Sequence, residues 1–386
     1  MITAAPRRRI LLLGAITALG SLAIHMFVPA MPRAAVALHT SRSAVQLALT
    51  FYLVSVAIGQ IATGPLSDRV GRRPVLLGGA ILFVAGSAMC WAAGSILALL
   101  AGRVVQALGA SSGLVAGRAM VTDSASADGA RDMALLTAIV MLSPMLAPLL
   151  GNAIVDMAGW RAIFAVLAAA GALCGLAISR WLPESLAAAA ASPSTPIADW
   201  GRLMREPVFL RHLVIGTSLS GALYVFLAAS PFLLIEVYHA DPRHLGLPYG
   251  LVALGAGGGA LGASAVAARL APRQVMTVGT LLAMTGAAAL LFGELAGRHA
   301  VPWLIAPMMV MAFGGGMVTP NAMVAALAAV RGRAGTAVSI YGALQMAGSA
   351  LATVAVAALP SHDPLVPALT ITGLTAVAAL LHHRRP

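Results

Sequence analysis

Lysine is absent from this 386-residue chain, cysteine occurs twice, aromatic residues make up 5% and charged residues 9%. Each shortage excludes something. With 60% hydrophobic residues and a mean hydropathy of +0.93, there is too little polar surface to coat a soluble globule, so the chain is read as a membrane protein. Cys90 and Cys174 both lie inside apolar runs. They read as small core residues, which excludes a disulfide framework or a cysteine metal site. No phosphate-binding loop, metal-ligand cluster or catalytic triad stands out, because Gly257-Gly258-Gly259 and Gly314-Gly315-Gly316 sit within apolar runs and read as close helix packing. The chain is therefore expected not to be an enzyme and to hold no cofactor or metal.

What is present is a series of long apolar runs. A helix needs about 20 apolar residues to cross roughly 30 Å of hydrocarbon. Runs of that length fall at 10–31, 44–66, 74–93, 96–121, 133–155, 162–182, 208–237, 245–268, 274–295, 301–330, 334–359 and 364–381. The expected fold is all-α, a polytopic membrane protein of twelve transmembrane helices. The first run follows Arg7-Arg8-Arg9 and precedes Ala35-Val36-Ala37, but it is too long for a cleaved signal segment and is read as a span.

The formal net charge of +12 in a soluble protein would point to nucleic acid. Its placement here argues against that partner. Arginines in the N- and C-terminal tails and in the loops on their side, including Arg69, Arg72, Arg73, Arg131, Arg180, Arg202 and Arg331, far outnumber those on the other side, Arg33, Arg42, Arg161, Arg243 and Arg298. The positive-inside rule then puts both termini in the cytoplasm. The longest polar connection divides the chain into residues 1–182, a linker at 183–207, and 208–386. A weak internal repeat supports two halves: Arg269-Leu270-Ala271-Pro272-Arg273 follows Arg69-Val70-Gly71-Arg72-Arg73 after 200 residues (269 − 69), with Ala268 opposite Asp68. Two six-helix bundles around a midplane cavity are what such a repeat implies.

Charge clusters in one place, Gly64-Pro65-Leu66-Ser67-Asp68-Arg69-Val70-Gly71-Arg72-Arg73-Pro74. Gly64 and Gly71 permit close approach and unusual backbone angles, and Asp68 can accept from arginines or a helix N-terminus. This segment resembles the loop between the second and third helices of major facilitator superfamily transporters. Within that superfamily the chain resembles the Bcr/CflA group of bacterial drug efflux proteins, through Val28-Pro29-Ala30-Met31-Pro32, Arg103-Val104-Val105-Gln106, Arg118-Ala119-Met120-Val121 with Asp123, Ala147-Pro148-Leu149-Leu150-Gly151 and Pro320-Asn321-Ala322. The resemblance implies a latch on the cytoplasmic side, in which Asp68, Arg72 and Asp123 meet the start of the eleventh helix near Ala334, with Arg69, Arg73 and Arg118 alongside. A basic loop that only sets orientation is the plainer alternative.

Arg103 lies about 7 residues into the fourth span, roughly 10 Å deep at 1.5 Å per residue. His25, about 15 residues into the oppositely directed first span, reaches a similar depth. With Gln106 they are expected as neighbours on a central cavity, since an intramembrane arginine marks a substrate or ion path. Relatives in the efflux group commonly carry an acid at the position of His25. All twelve carboxylates of this chain fall at span ends or in loops, so His25 becomes the default proton carrier. A hydrogen-bonded packing histidine is the alternative, and both readings stand at this point. Pro144, Pro148 and Gly151 resemble an antiporter motif, although a packing kink would use the same residues. Candidate substrate contacts are Met26, Phe27, Tyr52, Tyr224, Phe226, Phe232, Asn321 and Gln345, each of which could equally serve the core or face lipid.

The resemblance implies an inner-membrane exporter of small amphipathic drugs of the bicyclomycin, chloramphenicol or sulfonamide sort. It would be driven by protons, work as a monomer, and move cargo by rocking one bundle on the other. Rival readings are an exporter or facilitator for a metabolite such as a sugar or amino acid, and a sensor built on a transporter fold.

Overall fold

The computed structural model describes residues 6–123, 129–185, 201, 203–267, 269–330, 334–358 and 363–384. Among them are twelve helices long and apolar enough to cross a membrane. They are α1 (Arg8–Ala37), α2 (Arg42–Val70), α3 (Arg72–Trp91), α4 (Ile96–Thr122), α5 (Asp132–Ala158), α6 (Trp160–Trp181), α7 (Pro207–Glu236), α8 (Pro242–Val266), α9 (Pro272–Leu295), α10 (Val301–Ala328), α11 (Ala337–Ala357) and α12 (Leu365–His383). An even number of alternating crossings puts both chain ends on one face, the terminal face; the other is the far face.

The expected runs and the helices coincide, and the largest difference is at α1, which continues to Ala37 instead of stopping near Met31. It does so in pieces: regular helix ends at His25, a tight turn spans Val28–Ala30, and helix resumes at Met31. Pro29 and Pro32 explain the break, since neither donates a backbone hydrogen bond and each ring crowds the carbonyl four residues earlier. A wider π-turn at Gly113–Gly117 similarly interrupts α4.

The two halves repeat one another. In the first half α3 packs on α4 and α6, α2 on α4, and α1 on α5; in the second α9 packs on α10 and α12, α8 on α10, and α7 on α11. Between the halves, α2 meets α11 and α5 meets α8, the same pairing seen from either side.

Glycines set the tightest of these contacts. A side-chain carbon on Gly109 would lie 2.5 Å from Gly79 O and 2.8 Å from Phe83 Cα, and one on Gly86 would lie 2.6 Å from Gln106 Cα. In the second half a carbon on Gly286 would lie 2.5 Å from Pro307 O, and one on Gly314 would lie 2.9 Å from Ala283 Cα. Gly279 and Gly286 thus repeat Gly79 and Gly86 at the same 200-residue shift (279 − 79, 286 − 86) as the basic turn. The same backbone-to-backbone contact is built twice from the same spacing.

One buried apolar cluster runs the length of the first half, from Ile10, Leu76 and Met120 to Phe27 and Phe164, and continues into the second half at Phe226 and Leu304. Toward the terminal face the second half keeps clusters of its own, one around Phe209, Ile340 and Tyr341 and one around Ala263, Val275 and Met317.

Candidate functional site

Arg103 is fully buried in the first half. Its Nη1 donates to Gln106 Oε1 at 2.7 Å and to Ala23 O at 3.0 Å. Ala23 lies in the last turn of the first piece of α1, which ends at His25, where helix carbonyls lack a partner in the same helix, so its carbonyl is free to accept from the arginine. Gln106 Nε2 in turn donates to Ser87 Oγ at 2.8 Å, which donates to Phe83 O at 2.7 Å. The guanidinium carbon lies 4.0 Å from the Tyr52 ring centre, 5.4 Å from Phe27 and 6.0 Å from Phe164. The Tyr52 hydroxyl donates to Gly20 O at 3.0 Å. The rings surround a guanidinium whose Nη2 has no hydrogen-bond partner, an arrangement in which cation–π attraction substitutes for a counter-charge.

This corrects the expectation that Arg103 and His25 share a cavity. Ala23 and Phe27 flank Arg103, and His25, two residues on from Ala23, is rotated by roughly 200° on the helix. Its Nδ1 is 2.8 Å from Ser21 O in its own helix. Arg103 and Gln106 tie α1, α2, α3 and α4 together inside the first half, and His25 sits half-buried on the other side of α1.

The substrate candidates divide in the same way. Met26, Phe27, Tyr52, Phe226 and Phe232 are enclosed in packing. Phe27 and Tyr52 form the arginine cage, and Phe226 lies against Tyr249 at 5.8 Å between ring centres. Burial among neighbouring helices is why these five are not open contacts. Tyr224, Asn321 and Gln345 remain half-buried, with Asn321 Nδ2 donating to Met317 O at 2.8 Å and Gln345 Nε2 to Gly216 O at 3.3 Å.

On α5, Gly151 lies directly against the break in α1: a side-chain carbon there would be 2.7 Å from Met26 Cα. One turn earlier, Pro148 O would be 2.7 Å from a carbon on Gly246 of α8. Pro148 cannot donate within its helix, and the segment Pro144–Gly151 is where α5 touches both α1 and the other half. Asn152 Nδ2 crosses to Arg243 O at 2.5 Å. Further links between the halves are an Arg42–Glu236 ion pair, Gln46 Nε2 donating to Ala228 O at 3.0 Å, and Thr50 Oγ1 at 2.8 Å from Thr353 Oγ1. All of these sit toward the far face, where they hold the halves shut.

The charged turn on the terminal face is an ordered network. Gly71, with φ of +108°, ends α2 and begins α3 in a conformation suited to glycine. Arg72 Nη1 lies 2.5 Å from Asp68 Oδ1 and donates to Ser67 Oγ at 2.6 Å, while Arg72 Nε donates to Asp123 Oδ2 at 3.2 Å. Arg73 Nη2 donates to Ser179 O at 2.7 Å; Arg69 is exposed, a side-chain carbon on Gly64 would lie 3.5 Å from Ser339 Oγ of α11, and Arg118 is half-buried. The expected partner of Asp68 at the start of the eleventh helix lies at the edge of, and partly outside, the described residues.

Sequence reasoning missed the centre of this network. Glu184, just past α6, accepts from Arg72 N through Oε1 and from Arg73 N through Oε2, each at 3.0 Å. It therefore caps the N-terminus of α3 with a negative charge, where two unpaired amides and the helix dipole favour one. No spacing rule joins residue 184 to residue 72; only the -Pro183-Glu184-Ser185- step after an apolar span hinted at a placed acid. Glu184→Ala is expected to lower the unfolding temperature of the purified protein by an amount matching about 1 kcal/mol. An unchanged melting curve would remove the capping role. A second acid, Glu294, occupies the last turn of α9 as expected of a span end, but it is buried rather than solvated.

Twelve spans in two matching halves, with polar links between the halves and a charged turn beneath them, define a polytopic membrane transporter. The chain belongs to the Major Facilitator Superfamily, whose model matches residues 11–353. It is 32% identical over 342 residues to the "Chloramphenicol resistance protein" of Pseudomonas aeruginosa, covering 86% of this chain and 79% of that one. It is 30% identical over 341 residues to the "Uncharacterized MFS-type transporter YdgK" of Bacillus subtilis (strain 168), with 87% and 85% covered. With "Multidrug resistance protein MdtL" of Klebsiella pneumoniae (strain 342) it shares 28% over 329 residues, covering 85% and 83%. The fold is similar to that in the crystal structure of a D-xylose-proton symporter, with a TM-score of 0.80, 16% identity and coverage of 97% and 96%. It is also similar to the human organic anion transporter MFSD10, with a TM-score of 0.69, 21% identity and coverage of 98% and 100%.

Proposed function

We infer that the protein exports small amphipathic compounds, chloramphenicol-like drugs among them, across the inner membrane of a bacterium in exchange for protons. The observation that carries this reading is the 32% identity, over most of both chains, to a protein named for chloramphenicol resistance. The arginine bias supports cytoplasmic termini, so the closed far face is periplasmic and the charged turn is cytoplasmic. Residues 1–182 and 208–386 are the two moving bodies, joined by the linker at 183–207, and one chain suffices for transport. Cargo binds between them, near the half-buried Tyr224, Asn321 and Gln345.

In this scheme the Asp68–Arg72–Asp123 network stabilises the state closed to the cytoplasm, and His25 carries a proton in the first half. Addition of chloramphenicol to energised inverted vesicles is expected to release protons from the lumen, followed with a pH-sensitive dye. Asp68→Asn and His25→Ala should both lose the response. A response to no drug in a panel would replace this reading with the metabolite one, and full pH-driven transport in His25→Ala would take the coupling role away from that residue.

A further inference from the structure

The second half contains a buried acid that neither the packing nor the charged turn accounts for. Glu294 ends α9 with its side chain 3% exposed. The Tyr238 hydroxyl, just beyond α7, donates to its Oε1, but Oε2 has no hydrogen-bond partner. The nearest basic side chain is His299 in the α9–α10 turn, whose Nε2 lies 3.6 Å from Oε2 and which is 43% exposed toward the far face. Asp363, ahead of α12, also acts on the carboxyl electrostatically, and it is exposed. From α10 and α12 the surroundings are apolar, Leu304, Pro367 and Ile371. Arg298 turns to Trp303, 5.5 Å from its ring centre.

Beside Glu294 is a cavity of about 10 Å³, about the room one water requires, which Ser230 of α7 also lines. Ser230 Oγ is 3.1 Å from the hydroxyl of Tyr249, buried on α8. Tyr249 belongs to the segment of α8 that begins at Gly246, which packs against α5 of the other half.

We propose that the Glu294 carboxyl is a proton-binding site, reached from the far face past His299 and opening through the water-sized cavity, Ser230 and Tyr249 onto the contact between the halves. An ionised carboxylate in this setting lacks a full complement of donors, with Oε2 unpartnered, and burying it so is unfavourable. A proton relieves that cost in either of two places. On His299 it makes an ion pair at 3.6 Å; on Oε2 it makes a neutral acid beside the cavity. Transfer between them moves one proton from the His299 nitrogen to the carboxyl oxygen, with no other bond made or broken. The site's part in coupling rests on the export reading and gives it a carrier in the second half that no central carboxylate provides.

The test uses the purified full chain in nanodiscs, with infrared difference spectra recorded as pH is stepped. A carboxyl band characteristic of a protonated acid in apolar surroundings is expected to titrate in wild type, to vanish in Glu294→Gln and to shift its midpoint in Tyr238→Phe and His299→Gln, which keep the acid. A band unchanged in Glu294→Gln overturns the site, as does the absence of any such titration in wild type. In vesicles, Glu294→Gln should lose drug export driven by the pH gradient while retaining gradient-free exchange of chloramphenicol. Should wild type titrate at Glu294 but move no drug, the export reading falls and the proton site stands. Should drug export remain fully pH-driven in Glu294→Gln, the proton site's coupling role falls and export stands.

Discussion

Gly109→Leu is expected to leave no monodisperse protein after extraction from the membrane. At this position the neighbours are backbone, Gly79 O and Phe83 Cα at 2.5 and 2.8 Å from an added carbon, and backbone cannot move aside as the end of a flexible side chain can. Four extra carbons would have to separate α3 from α4. Separation would also strain the Gln106–Ser87 hydrogen bond that joins them at 2.8 Å. Overpacking a close contact costs about 1–3 kcal/mol and sometimes more, and this substitution belongs at the upper end. Gly314→Leu in the second half should behave alike, because α9 and α10 repeat the contact. The comparison is Gly78→Leu, where nothing lies within 4 Å of an added carbon. Size-exclusion profiles of the three variants decide the matter, and a normal profile for Gly109→Leu would mean that α3 and α4 do not need this approach.

Arg103→Ala is the second large effect. The guanidinium is buried without a carboxylate partner, so its removal recovers part of a desolvation cost of several kcal/mol. Against that stand a desolvated cation–π contact with Tyr52, worth about 2 kcal/mol or more, and hydrogen bonds from a charged donor to Ala23 O and Gln106 Oε1, worth about 1.5–3 kcal/mol each. The void left among Tyr52, Phe27 and Phe164 adds a cavity cost. The losses exceed the gain, and the expected net destabilisation is about 3 kcal/mol. Arg103→Lys should lie between the two, since it keeps a charge but not the planar fork that reaches two acceptors at once. Thermal unfolding in detergent, run beside the vesicle assay, separates stability from transport. Equal melting temperatures for wild type and Arg103→Ala would show that the cage contributes nothing net.

The fold was legible because each helix declares itself locally. Span length, the 200-residue recurrence of arginines, and the bias of arginine to one side are properties of the chain read in order. The charged turn was legible for the same reason: Asp68, Gly71 and Arg72 are adjacent, and scarcity of charge elsewhere makes their grouping visible. Glu184 was not, because its targets are amides 112 and 111 residues away (184 − 72, 184 − 73), and nothing in a local pattern measures that distance.

Arg103 meets α1 at Ala23, two residues from His25, so the two stand at one level along the helices, but residue counting did not give which way each faces. Counting residues along a span gives height in the membrane; it says nothing of azimuth once two helices are set side by side. The roughly 200° between Ala23 and His25 sends one neighbour of the proline break toward the arginine and the other away. The aromatic candidates divided on the same ground, Phe27 and Tyr52 closing on Arg103 while Tyr224 stays half-buried, since an aromatic residue facing lipid, a cavity or another helix has one spelling.

By itself, then, the sequence determined the solvent this protein lives in, the number of crossings, the doubling of the fold and the place of its charged turn, all set by hydrophobicity and local spacing. Only the tertiary structure decided that Arg103 braces the first half, that Glu184 caps α3, and that the acid at the end of α9 is enclosed. Those depend on which faces of distant helices meet, and burial arises from neighbours that the chain order does not name.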